Sequence, residues 1–311
     1  GSFNTTDAWV LHGARIGEVD TATYLRWGST DGHDGIIDSD AQTVLDQALV
    51  TSASLAPGSV NTGAKSLDAS FDAEWRNVRA RLSYLQRYDV GTGAGGNSAL
   101  DPVGRARTER WLADVAWTDI ELSPDWQMSL SGSWFTFATT YPQLLQIMPP
   151  GSFGGLFPDG MIGAPYTWER QLRVAAVFEY SGWDGHHIRL GMGHDDLNMY
   201  RTQEFKNFVL DSNGLPLPIA GGEVQEIPVD ESFSTPQRRK VRYVYAQDEW
   251  SLAPDWQLTA GVRHDQYSDF GGTTNPRLAL VWDTSLELTT KFLYGRAFRA
   301  PSFSELYSIN N

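Results

Sequence analysis

Residues 245–265 contain two strands and a turn that fix what this chain can become. Leu258, Ala260 and Val262 alternate with Gln257, Thr259, Gly261, Arg263 and Asp265. The turn-forming run Ala253-Pro254-Asp255-Trp256 separates them from Tyr245-Ala246-Gln247-Asp248-Glu249-Trp250. Successive strand side chains point to opposite faces, so each strand has one apolar and one polar face. A sheet resting on a core can read this way. Here the pattern recurs along the whole chain and its polar side is repeatedly rich in arginine, which points to lipid on one face and a wet lumen on the other.

The same two-faced reading holds elsewhere. Leu172, Val174, Ala176, Phe178 and Tyr180 oppose Gln171, Arg173 and Glu179. Ile188, Leu190 and Met192 oppose His187, Arg189 and Asp195, and Val78, Ala80, Leu82 and Tyr84 oppose Arg79, Arg81, Ser83 and Arg87. Roughly twelve strands of the length a tilted membrane strand needs are expected. They fall near 8–16, 20–29, 66–75, 77–88, 108–121, 126–138, 168–181, 186–200, 240–252, 256–268, 276–284 and 286–297. Short connections at 17–18, 75–76, 123–125, 181–185, 253–255 and 283–285 alternate with longer ones at 30–65, 89–107, 139–167, 201–239 and 269–275. Outer-membrane barrels have short periplasmic turns and longer outer loops, whereas a soluble sandwich has no reason to keep that alternation.

Composition narrows the class further. No apolar run is long enough for a transmembrane helix, and mean hydropathy is −0.35, but alternation hides lipid-facing residues among polar ones. The 12 tryptophans exceed what an ordinary soluble domain needs, and Trp117, Trp126, Trp250, Trp256 and Trp282, near strand ends, suit an interfacial girdle. A net charge of −14 argues against a nucleic-acid partner. The acidic runs 31–46 and 223–231 read as solvated loops. Absence of cysteine excludes thiol catalysis and disulfides.

The run from Gln247-Asp-Glu-Trp250 through Gly261-Val-Arg263, Tyr267-Ser-Asp-Phe-Gly271, Asn275-Pro-Arg277 and Gly295-Arg-Ala-Phe-Arg-Ala-Pro301 resembles the barrel of TonB-dependent outer-membrane receptors. Over residues 240–311 the motifs fall in order at matching spacing; before that the resemblance rests on strand rhythm. It implies an all-β fold, an antiparallel transmembrane β-barrel of the Gram-negative outer membrane. In that family about 22 strands close around an N-terminal plug. On this reading residues 1–311 are one internal barrel domain with roughly 12 of about 22 strands. The plug, TonB box and one strand are expected before Gly1, and about nine strands beyond Asn310-Asn311. The implied function is active import of a scarce nutrient chelate, an iron–siderophore, cobalamin or a similar compound. The implied partners are outer-membrane lipid, the chain's own plug, the TonB complex and the chelate, with no cofactor and no enzymatic activity. Two rival classes are a passive porin and a soluble all-β enzyme or propeller. Trp183-Asp184 and Trp282-Asp283 suggest the last, but they do not repeat at about 40 residues.

Candidate site residues follow. Ligand capture is expected in loops 139–167 and 201–239. There Tyr141, Phe153, Phe157, Tyr166, Phe205 and Phe208 can stack on a ligand, and Arg201 and Lys206 can attract an anionic one. The alternative is that they only pack the loops together. An arginine facing lipid at mid-membrane costs about 2–4 kcal/mol, so Arg263, Arg277, Arg296 and Arg299 are expected in the lumen, paired with wall acids such as Asp265 or touching the plug. The run Pro149–Pro158 reads as a mobile loop, and Gly91–Gly96 lacks the following helix of a nucleotide motif. No metal site is expected: His186 and His187 face opposite ways, and His194 shares a face with His186 but lies far along it. The adjacent carboxylates of Asp195-Asp196 and of Asp248-Glu249 likewise point apart, and no GxSxG, HExxH or P-loop pattern appears.

Overall fold

The computed structural model describes residues 2–308; Gly1 and residues 309–311, with the expected break at Asn310-Asn311, lie outside the described residues. Among the described residues twelve antiparallel strands form one path in which each pairs with its successor, and two short strands, Leu145–Met148 and Gln225–Glu226, pair onto the same sheet beside it. The twelve are β1 (Thr6–Ile16), β2 (Val19–Thr30), β3 (Ala64–Trp75), β4 (Val78–Gly91), β5 (Arg105–Ser123) and β6 (Trp126–Gln143). There follow β7 (Met161–Tyr180), β8 (His186–Lys206), β9 (Gln237–Ala253), β10 (Trp256–Tyr267), β11 (Gly271–Ser285) and β12 (Leu288–Gly295). Every expected strand is present. The sheet stays open at β1 and β12, so the barrel is partial over this chain.

Turns at 17–18, 76–77, 124–125, 181–185, 254–255 and 286–287 lie at one end, and connections 31–63, 92–104, 144–160, 207–236 and 268–270 at the other. Two expectations fail in detail. The turn expected at 283–285 sits at 286–287, because β11 stays paired to Ser285 and leaves Leu286 fully exposed. The connection expected at 269–275 shrinks to 268–270, shorter than the turn at 181–185. Gly271 at φ 94° takes a left-handed conformation open to glycine, and Tyr267 stacks on Phe270 at 4.4 Å, so the hairpin closes tightly. The alternation is thus one of ends and not always of lengths.

Register separates the faces, since directly paired residues share one. Phe178 pairs with Leu190, Leu190 with Ala246, Ala246 with Val262, and Val262 with Pro276, an apolar row across five strands. One residue along, on the opposite face, Arg189, Gln247, Gly261 and Arg277 form a polar row. Leu172, Val174 and Val262 remain 50%, 47% and 46% exposed, so no protein covers the apolar row. A soluble sheet would bury it; a membrane wall presents it to lipid.

Aromatics bound this belt. At the turn end Trp126, Tyr180, Trp183, His186 and Trp250 form a string with ring centroids 4.9, 5.6, 6.1 and 4.9 Å apart, and Trp256 stacks on Trp282 at 4.8 Å. On β7, Trp168 and Tyr180 share the apolar face. Twelve residues at about 3.3 Å each, tilted by about 45°, give roughly 28 Å of height, close to the ~25 Å apolar band of such barrels.

The protein's buried core lies at the loop end. Ala99, Met148, Phe157 and Met161 cluster there, and Phe157 is 1% exposed. Pro149–Pro158 is therefore a packed element where a mobile loop was expected: Gly151 and Phe157 close a backbone hydrogen bond of 2.8 Å around a buried ring. The acidic run 31–46 is likewise more than a solvated loop. Helix α1 (Ala41–Leu49) begins within it, capped by Asp40, whose carboxylate accepts from the Thr43 backbone at 2.8 Å and from that of Leu100 at 3.0 Å. Asp46 accepts from Thr51 at 2.6 Å, Ser54 N at 2.7 Å and Gln42 at 2.8 Å. Burial alone would raise the Asp46 carboxyl, but these donors outweigh it and hold it at about 2. The glycine run 91–96 is tied down by backbone bonds from Gly91 to Gly63 and from Gly93 to Asn61.

Candidate functional site

β7 and β8 rise beyond their neighbours at the loop end, pairing Pro165 with Glu204 and Gly163 with Lys206. Two residues apart on one strand, Glu204 and Lys206 share a face, and their charged groups meet at 3.4 Å. Both are buried, at 7% and 3% exposure. Glu204 also accepts the Phe233 backbone N–H at 2.7 Å, and the Lys206 ammonium lies 5.6 Å from the Phe208 ring centre. Around the pair opens a hollow of about 650 Å³, walled by Leu145, Ile147, Phe153, Phe208, Leu215 and Phe233. That is the size and character of a small-molecule site: apolar walls with a few fixed polar groups.

The expected ligand residues divide between the two faces. A register shift opposite Trp168/Glu169 leaves Tyr200 as an extra residue on β8. Beyond it Tyr166 packs on Tyr141 at 5.7 Å, Phe205 at 5.4 Å and Trp168 at 6.0 Å, and its hydroxyl donates to the Tyr141 carbonyl at 2.7 Å. Arg201 lies 4.3 Å over Trp168. This cluster lies on the side of the apolar belt. Phe153, Lys206 and Phe208 line the hollow, while Phe157 sits beneath Phe153 at 5.9 Å, sealed from ligand in this conformation. Glu204, Leu145, Ile147 and Phe233 were missed. Glu204-Phe205-Lys206 carried a readable signal, since opposite charges two residues apart on a strand must share a face.

A second hollow, about 410 Å³, lies on the polar wall and is lined by Arg189, Tyr245, Arg263, Asn275, Arg277 and Arg296 among others. Arg263 donates to Asp265 at 2.7 Å and lies 3.9 Å over the Tyr243 ring. Gly191 and Gly193 make room here, because a Cβ on Gly191 would fall 2.1 Å from the Tyr245 ring and one on Gly193 within 2.3 Å of the Tyr243 hydroxyl. Arg189 pairs with Glu179 at 2.7 Å, and Arg277 donates to Gln247. Among the described residues no carboxylate reaches ion-pair distance of Arg277 or Arg296. Arg299 stands apart, paired at 2.7 Å with Glu305. Hydrogen bonds from Arg299 and then Ser302 hold Glu305 at about 2.

Sequence reading also overlooked Arg239, buried between the rings of Phe270 and Phe303 at 4.9 and 5.1 Å. It donates to Asp269 and to the Pro301 carbonyl, both at 2.7 Å, and so ties the segment after β12 to the wall. The histidines are structurally employed: His186 stacks on Trp250 with Nδ1 2.7 Å from Asp248, and His187 lies 3.7 Å from Glu179 on the other face.

Residues 47–311 match the family model described as TonB dependent receptor-like, beta-barrel. The ferric enterobactin receptor PirA of Pseudomonas aeruginosa is 35% identical over 83 residues, 27% of this chain and 11% of that protein. An iron-regulated outer membrane virulence protein of Vibrio cholerae is 36% identical over 62 residues, 20% of this chain and 10% of that protein. The ferric enterobactin receptor structure (PfeA, mutant G324V) from Pseudomonas aeruginosa superposes with a TM-score of 0.62 at 14% identity, covering 97% of this chain and 42% of that one. The chain thus spans less than half the length of that structure and about a tenth of each curated relative.

Proposed function

Because this chain belongs to the TonB-dependent receptor-like β-barrel family of the Gram-negative outer membrane, we propose that it forms the wall and part of the ligand-capturing mouth of an active importer for an iron–siderophore or similar chelate. The observation that carries this reading is the loop-end hollow, where the buried Glu204–Lys206 pair sits among Phe153, Phe208 and Phe233. Aromatic walls suit the flat faces of a metal chelate, and the Lys206 ammonium suits an anionic group on it. The names of the relatives, a ferric enterobactin receptor and an iron-regulated outer-membrane protein, favour iron over cobalamin. On the polar wall, Arg277 and Arg296 present charge that an acidic plug surface would neutralise, and coupling to the TonB complex would act through that plug. Family membership favours the importer over the passive porin, and one uninterrupted twelve-strand meander is incompatible with the four-stranded blades of a propeller.

Ligand titration tests the proposal. Ferric enterobactin, other ferric siderophores and cobalamin are titrated against the detergent-solubilised protein by tryptophan fluorescence. At least one ferric chelate is expected to bind, with Phe208→Ala weakening it by about tenfold, as loss of one aromatic contact implies. If no chelate binds and small neutral solutes cross reconstituted vesicles freely, the importer reading is lost and the passive one takes its place.

A further inference from the structure

The loop end of β9 alternates sharply: Arg238, Lys240 and Arg242 are exposed, while Arg239 and Val241 are buried. Register places the exposed three on the face of the apolar belt. Arg242 pairs with His194, itself paired with Val174; Lys240 pairs with Asp196, itself paired with Leu172; Arg238 pairs with Asn198, itself paired with Arg170. Arg170, Arg238, Lys240 and Arg242 therefore stand on the lipid side of the wall, with Arg201 beyond them, in a chain whose net charge is −14. Asp196 offsets one of them, bonding Arg238 at 2.8 Å. Leu172 and Val174 lie beside them on this face, and Met192 and Val244 follow toward the turn end, all exposed.

Cations on the lipid face are strongly destabilising at mid-membrane and tolerated near the rim. Aromatic partners mark the outer edge of this cluster as the rim: Arg170 lies 5.5 Å over Tyr200, and Arg201 4.3 Å over Trp168. Lys240 and Arg242 stand further in, from where their long side chains reach up to headgroup level. A concentration of positive charge here is not explained by the lumen, the plug or the loop-end hollow, since it faces away from the polar wall. We propose that Arg170, Lys240 and Arg242 bind the phosphate groups of a phosphorylated lipid headgroup in the loop-side leaflet, whose acyl chains run down over Val174, Met192 and Val244. The charge match is the argument for this occupant: the groups at that depth in a bilayer are headgroups, and phosphates are the anions they carry.

The test uses the protein in neutral detergent micelles, titrated with diphosphoryl lipid A and, separately, with its dephosphorylated form, binding being read by native mass spectrometry. The triple variant R170Q/K240Q/R242Q leaves the Arg238–Asp196 bond intact and is expected to lose affinity by roughly a hundredfold, about fivefold for each charge near an anionic surface. The single variant Lys240→Gln, less demanding on folding, should lose about fivefold. A control with equal charge change on the polar face, R79Q/R81Q/R87Q, should bind as the parent does, and the dephosphorylated lipid should bind as weakly as the triple variant. Equal losses on the two faces, or equal binding of both lipids, overturns the proposal. So does displacement of the lipid by millimolar inorganic phosphate, which would assign the patch to a soluble anion.

Discussion

The wall and the loop end of this protein satisfy the same chemistry in opposite ways. In the wall, Leu130, Val174, Met192 and Val262 are between 38% and 52% exposed, and stability comes from an unbroken backbone ladder across twelve strands. At the loop end, Phe157, Met148 and Ala99 are almost completely covered, and the backbone there is held by caps, turns and side-chain acceptors such as Asp40 and Asp46. The difference reflects two solvents. Lipid accepts apolar side chains but no unpaired backbone group, so the wall pairs its backbone strand to strand between β1 and β12 and leaves its apolar side chains outside. Water accepts the backbone but not apolar surface, so the loop end folds like a small soluble domain around its own core.

The contrast can be broken first where burial is greatest. Phe157→Ala should destabilise the loop end by about 3–5 kcal/mol. Hydrogen exchange should rise across 144–160 while the wall strands keep their protection; equal loss in β7 and β8 would mean the two regions form one cooperative unit. Next, Leu130→Arg and Ser131→Arg place the same charge at the same depth on opposite faces of β6. Urea titration of folding into vesicles should show a cost of about 2–4 kcal/mol for the first and little for the second. Reversal of that order would place Leu130 in the lumen.

Removing the helix cap sharpens the comparison on a smaller scale. Asp40→Ala should cost about 1 kcal/mol, confined to α1 and the adjoining 98–101 segment, without changing the exchange protection of the wall strands. The smallest effect is pH. Asp46 sits at about 2, below the ordinary carboxylate value near 3.9. Its contribution is therefore complete above about pH 4 and is lost as pH falls through about 2, because the unfolded chain takes up the proton first. Exchange of residues 41–54 should quicken over that window and the wall should not respond. In Asp46→Asn the loop should be looser at neutral pH and flat with acidification.

Legibility in the sequence followed the same division. The wall could be read almost strand by strand, because a period of two against lipid is a local rule: Leu172, Val174 and Ala176 against Gln171 and Arg173 needs no knowledge of distant residues. The bulge at Tyr200 and the overrun of β7 and β8 to Met161 and Lys206 were not legible, because they depend on partners some forty residues away. The aromatic list for the ligand site was drawn by composition, and the fold divided it: Phe153, Lys206 and Phe208 line one hollow, Tyr141, Tyr166, Arg201 and Phe205 gather on the other side, and Phe157 is core. Alternation along Glu204-Phe205-Lys206 already held part of that division. The capped helix was not read from the sequence, where its acidic residues suggested a solvated loop; of the bonds to Asp40 that fix it, the one from Leu100 is tertiary.

Sequence by itself determined the architecture of the wall, the order of its strands and the face that meets lipid, since each follows from side-chain alternation and the cost of an unpaired backbone in a membrane. Tertiary structure alone decided which loop residues meet around Glu204 and Lys206, which carboxylates are buried as caps, and that Arg238, Lys240 and Arg242 gather with Arg170 on the apolar face. Those outcomes depend on register between strands and on contacts across long loops, and many chain paths satisfy the local pattern equally well until the packed one is chosen.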